Sequence, residues 1–172
     1  MTPLTIPSAS YPTNTPLADL RTAELLLVTT LRLYALQLGR SYKSCPDWKD
    51  GLRAANTLPW TAAAFQGLLL IVTASSAKPL DVRCMHSPLL GYDEGRLLQL
   101  VSLYQRNQPE DAAGILAEWL PPAAVRRAKT PAEALAAAFA EADLIIPCRS
   151  VWNSCTPSEH QLKVHPGLSL VQ

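Results

Sequence analysis

Residues 82–100 read VRCMHSPLLGYDEGRLLQL and bring Arg83, Cys84, His86, Asp93 and Glu94 within a dozen positions. A thiolate, an imidazole and carboxylates are the ligand types that zinc accepts. The same groups could also meet a polar ligand or a partner surface. The spacing serves a metal poorly. Cys84 and His86 have one residue between them, short of the gap of about two to four residues in structural zinc sites, and no second ligand pair lies nearby. Most of the stretch also has structural duties. Pro88 and Gly91 make a turn. Asp93 and Glu94 fall in the first turn of a helix, where free N–H groups and the macrodipole favour acids. Leu97, Leu98 and Leu100 begin a buried stripe. Cys84 suits burial as a free cysteine. Arg83, Cys84 and His86 stand in the short piece before the turn. They are the first candidates for contact with a ligand or partner, with Asp93 and Glu94 beside them.

A second group lies near the C-terminal end: Cys148, Cys155, His160 and His165, separated by six, four and four residues. Two cysteines and two histidines match zinc by type, but only the histidine spacing conforms. No metal or other cofactor is therefore assigned, and zinc held by this group or by Cys84 and His86 stays as the alternative. Trp152 sits among these residues and would anchor a partner or a second subunit if exposed. The other tryptophans, Trp48, Trp60 and Trp119, stand near prolines at helix ends, where an indole serves as a lid on the core.

Other chemistries lack their parts. No Gly-x-Ser-x-Gly and no glycine-rich phosphate loop occurs, and seven glycines are scattered singly. The carboxylates sit mostly at helix starts, where capping accounts for them. Pro109 to Lys129 has a helix–break–helix outline ending in Arg126, Arg127 and Lys129, but a recognition helix needs a run of polar side chains reaching base edges. With 15 basic and 14 acidic residues the net charge is +1. That gives no electrostatic reason to expect nucleic acid or an anionic membrane.

The chain of 172 residues suits one domain with a real core. Charged residues make up 17 %, below the roughly 25 % of ordinary domains. Self-association and a long uncharged tail both account for that. The first twenty residues hold no Lys or Arg, so the basic start of a signal peptide is missing. Four scattered cysteines without a Cys-x-x-Cys pair read as reduced thiols, and the cytoplasm is the expected compartment. Between Arg53 and Lys78 run 24 uncharged residues. Gln66 and Gly67 interrupt their middle, so a buried helix is expected rather than a membrane span.

The elements that must position these residues follow from periodicity and punctuation. Residues 1–15 are rich in Pro, Ser and Thr, uncharged and aperiodic, and are expected to be a flexible tail. Thr15-Pro16 suggests a helix start, and leucines at three- and four-residue spacing carry that helix to Leu38, with Gly39 as its stop. Ser44 to Asp47 fits a capping box for a short helix to Asn56. Pro59 opens the uncharged helix. Residues 79–84 alternate enough for an extended piece. A helix from Tyr92 to Arg106 and another from Pro109 to Trp119 follow. Thr130-Pro131-Ala132-Glu133 predicts a new helix to Ala142 after a short basic piece, and 144–147 suggests a strand. PEDAAGILAEWL and PAEALAAAFAEA look alike at an offset of 22 residues, but a solenoid needs about three copies.

Together these predict an all-α, single-domain bundle of about six helices with at most two short strands. Helices 16–38 and 59–75 should form the core. The helical domain spans 16–147, and an irregular tail spans 148–172. The expected function is a non-catalytic interaction or regulatory protein that binds a protein partner or itself, without membrane or nucleic acid. A metal- or thiol-dependent site is the alternative.

Overall fold

The computed structural model describes residues 11, 12, 14–39 and 46–149. Within them the chain is all-α: α1 (Thr22–Leu38), α2 (Trp48–Ala54), α3 (Thr61–Ser75), α4 (Tyr92–Gln105), α5 (Pro109–Trp119) and α6 (Pro122–Glu141), with a 3-10 turn at Leu17–Asp19. Among the described residues no strand forms. The one β-type pairing is an isolated bridge between Pro16 and Leu89. No described helix is long and apolar enough to cross a membrane.

α4 is the inner helix. Seven consecutive residues, Leu97 to Leu103, are buried. It packs against α5 and α6, and α6 in turn packs on α3, the most extensive helix pairing in the protein. α6 can pack closely because its buried side is built largely from alanine: Ala124, Ala128, Ala132 and Ala136 are buried, together with Leu135 and Phe139. α1 packs on α2 and α4. α1 and α3 both supply buried residues to the one core, as the sequence suggests, although they are not a main helix pairing. Tyr34 of α1 stands edge-on to Trp48 of α2 at 5.4 Å and to Phe65 of α3 at 5.7 Å, a favoured aromatic geometry.

Two helix starts differ from those the sequence predicts. Thr15 does not cap a helix. Its hydroxyl donates to the Pro12 carbonyl at 2.7 Å, and its own carbonyl accepts from Leu90 N–H at 2.9 Å. The stretch from Thr15 to Leu17 is thereby tied to residues 88–90, and α1 begins only at Thr22. Thr130-Pro131 does not open a helix either. α6 runs through it from Pro122 to Glu141 with Pro131 inside. Proline costs a helix interior one hydrogen bond and a steric clash. Here packing overrides that preference: Pro131 faces Gly67 of α3 within the closely packed α3–α6 seam. Residues 144–147 form no strand. They cross α4 as an extended strap. Ser102 Oγ donates to the Ile146 carbonyl at 3.0 Å, Gln105 Nε2 donates to the Leu144 carbonyl, and Ile146 N–H donates to Gln105 Oε1.

Three helices stop in one way. After α2, α4 and α6 the chain turns through Asn56, Asn107 and Asp143, each at positive φ. The next N–H reaches back to close the turn, from Thr57 to Leu52, Gln108 to Leu103 and Leu144 to Phe139. This is the Schellman motif, with Asn or Asp in place of the usual glycine.

Candidate functional site

The residues that look reactive in the sequence surround a buried arginine. Glu94 is the third residue of α4, and its Oε2 accepts from Gly91 N–H at 2.7 Å, which caps the helix start. Its Oε1 accepts from Arg83 N–H at 3.0 Å. Arg32, from the middle of α1, meets both oxygens: Nε to Oε1 at 2.7 Å and Nη2 to Oε2 at 2.8 Å. Two more guanidinium protons go to carbonyls of the intervening loop, Nη1 to Ser87 at 2.8 Å and Nη2 to Leu89 at 2.9 Å. The two side chains are 2 % and 0 % exposed. The four bonds to the Glu94 carboxylate are complete and four of the five guanidinium protons are met, the form in which a buried bidentate pair is tolerated. The result is a clamp that holds loop 76–91 onto α1 and α4.

Asp93 has a neighbouring role. Its Oδ2 accepts from Asp81 N–H at 2.5 Å and its Oδ1 from Trp119 Nε1 at 2.7 Å. Asp81 returns the contact by accepting from Tyr92 N–H at 2.9 Å. Arg83 reaches Asp81 at 3.4 Å along the surface. Cys84 is exposed, and so is His86. The structure therefore brings Arg83, Asp93 and Glu94 together through backbone and carboxylate, whereas Cys84 and His86 share no metal-type group. Among the described residues no cluster of three or more His, Cys, Asp or Glu is placed to hold a metal. Cys148 is exposed. Cys155, His160, His165 and Trp152 lie outside the described residues. Of the other tryptophans, Trp48 is buried, Trp119 is half-buried and Trp60 is 51 % exposed.

Arg32, the centre of the clamp, belongs to no motif. Its one signal in the sequence is a cation inside TTLRLYALQL, between two leucines of an otherwise apolar helix. A second clamp uses residues equally unmarked. Glu24 accepts from Tyr11 Oη at 2.6 Å, from Arg21 N–H at 2.7 Å and from Arg149 Nε and Nη2 at 2.8 and 2.9 Å. Burial raises the Glu24 pKa, but the hydrogen bonds from Arg149, Tyr11 and Arg21 with the Arg149 charge outweigh it, and the net shift is downward. The Tyr11 phenol is held well above its usual range, first by burial and then by Glu24.

Two surface features beyond the clamps bear on binding. The first is a stripe on α3: Ala63, Gln66, Leu70, Thr73 and Ala74 are exposed at three- and four-residue spacing, with Trp60 just before the helix. None of them is charged. The second is an apolar groove of about 450 Å³ between α1, α3 and residues 76–82. No protein-family model matches this chain, and no curated protein or solved structure matches it either.

Proposed function

We propose that this is a non-catalytic helical interaction protein that pairs with a second copy of itself through the outer face of α3. The observation that carries this reading is the uncharged stripe from Trp60 to Ala74. Trp60 and Leu70 are each 51 % exposed on it. The stripe runs about 21 Å at 1.5 Å per residue and carries no Lys, Arg, Asp or Glu. Depletion of charge with aromatic and aliphatic side chains at the centre is how interface cores differ from ordinary surface. Lack of charge also favours a second copy, because a two-fold axis sets a face against itself and would oppose like charges. One helix face buries less than the ~800 Å² per partner of a standard interface, so the association is weak and concentration-dependent. The proposal extends to a cytoplasmic location, supported by the exposed free thiols Cys84 and Cys148, a state that a reducing compartment maintains.

Light scattering across a dilution series tests it. The expected mass rises above 18.7 kDa with concentration and returns to the monomer in Leu70→Glu, whose thermal unfolding stays cooperative. A monomer at every concentration would end the proposal.

A further inference from the structure

We infer that the groove between α1 and α3 is a binding site for a small amphiphile with an aliphatic body and a single carboxylate, such as a medium-chain fatty acid. Its walls are Leu31, Tyr34 and Leu38 of α1, Leu69 of α3, and Leu80 and Val82 of the loop clamped by Arg32. The volume, about 450 Å³, falls in the range of roughly 300–1,000 Å³ typical of small-molecule sites, which pair apolar walls with a few placed polar groups. Among the described residues, two of the three hydroxyls along the wall, those of Thr73 and Ser76 but not of Tyr34, are committed to backbone carbonyls. Thr73 Oγ1 donates to the Leu69 carbonyl at 2.8 Å, and Ser76 Oγ to the Lys78 carbonyl at 2.7 Å. The body of the ligand therefore meets mainly hydrocarbon, with the Tyr34 hydroxyl as the one hydroxyl of the described wall left to it.

The polar end is set by charge. Among the described residues Lys78 is the one charged residue lining the groove, and it is exposed. It makes no ion pair among the described residues. Lys78 also lines a hollow on the far side of the same segment, which holds Asp93 and Glu118. Both are engaged already, Asp93 by Asp81 N–H and Trp119, Glu118 by Arg96. Lys78 thus borders both the hollow and the groove, and with no ion pair of its own among the described residues it is the cation that would meet an anion at the edge of the apolar trough. The extended wall stays in place because Asp81 N–H and Arg83 N–H are bonded to Asp93 and Glu94. The groove is thus built into the fold, and the inference does not depend on the α3 stripe.

Calorimetric titration of the full-length protein with octanoate, decanoate and dodecanoate below their micelle concentrations tests this. Saturable one-to-one binding is expected, tightening roughly fourfold per added methylene, from ~0.8 kcal/mol each, until the groove is filled. Ala35→Phe, which puts a ring into the groove, should weaken decanoate at least about tenfold while unfolding remains cooperative. Lys78→Gln should weaken decanoate about two- to fivefold, as expected for one exposed charge contact, and leave decanol unchanged. Leu70→Glu should abolish self-association yet leave decanoate binding intact. Absence of saturable binding to the full chain overturns the inference. Binding indifferent to Ala35→Phe, or equal for decanoate and decanol, does the same. If Ala35→Phe alters the oligomeric mass instead, the groove belongs to a second copy, and the ligand reading falls.

Discussion

Two glutamates hold this fold together in nearly the same way. Glu94 and Glu24 each stand third in a helix and each reach back to the N–H just before it, at 2.7 Å in both cases. Each then takes a bidentate arginine from far along the chain, 62 residues away for Arg32 and 125 for Arg149. Each arginine also donates to loop carbonyls, Ser87 and Leu89 for Arg32 and Asp19 for Arg149. The difference is solvent. The Arg32 side chain is 2 % exposed and Arg149 27 %. Coulomb attraction and desolvation both grow as water is excluded, so the same contact list makes a rigid joint inside and a looser one at the rim. The inner clamp positions the loop that walls the groove. The outer clamp ties Tyr11 and the strap after α6 to the start of α1.

The largest effect should come from the inner clamp. Arg32→Met leaves Glu94 charged and buried beside carbonyls that have lost their donors. Breaking one side of a buried pair costs about 3–5 kcal/mol, a large part of the roughly 5–15 kcal/mol that holds a domain. Urea denaturation should show that loss. A change below about 1 kcal/mol would mean that water reaches Glu94 and that the two clamps do not differ. Gly91 should come next. A methyl group there would lie 2.5 Å from the Asp81 carbonyl oxygen, so Gly91→Ala must push the loop away from α4. Overpacking of this kind costs about 1–3 kcal/mol. The loss should be matched by faster amide exchange at Asp81 and Arg83, whose N–H groups bond to Asp93 and Glu94.

Arg149→Met should cost less, about 1–2 kcal/mol, because Glu24 keeps Tyr11 and Arg21 as donors and the partner is partly in water. Its signature is the pH dependence. Glu24 has a folded pKa below its ordinary 4.5. Its contribution is therefore fully present above that value and fades as pH falls through the lower, folded pKa. The gap in stability between wild type and Arg149→Met should be widest near neutrality and close on acidification. A gap that stays constant down to about pH 3 would show that Arg149 acts through packing on Tyr11 rather than through the Glu24 charge.

The helices were legible because their signals are local. Pro109 opens α5, Tyr92 begins α4, and Asn107 marks the end of α4, each from neighbours within a few residues. Both errors at helix starts came from local signals overruled at a distance: Thr15 bonded to Leu90, and Pro131 packed on Gly67. The acids at the start of α4 were read correctly as helix-start residues. Their partners were not visible, because pairing Arg32 with Glu94 or Arg149 with Glu24 depends on how helices cross, and no spacing rule encodes that. Arg83, Cys84 and His86 crowd the clamped loop, but of the three it is Arg83 whose backbone meets Glu94. Arg83 matters there through its backbone N–H, which any residue except proline supplies.

The smallest expected effect sharpens the contrast between the two helix starts. The inner clamp caps its helix at Gly91, where the Asp81 carbonyl leaves no space for a side chain. The outer clamp caps at Arg21, which is exposed and whose contribution to Glu24 is a backbone N–H. Arg21→Ala keeps that N–H and should change stability by less than about 0.5 kcal/mol, as for an ordinary surface site. Equivalent positions in two matching clamps would then differ severalfold in tolerance to the same methyl-bearing residue, and the cause would be the loop pressed against one of them. If Arg21→Ala proves as costly as Gly91→Ala, the helix starts themselves are fragile, and the packing of loop 76–91 is not what separates them.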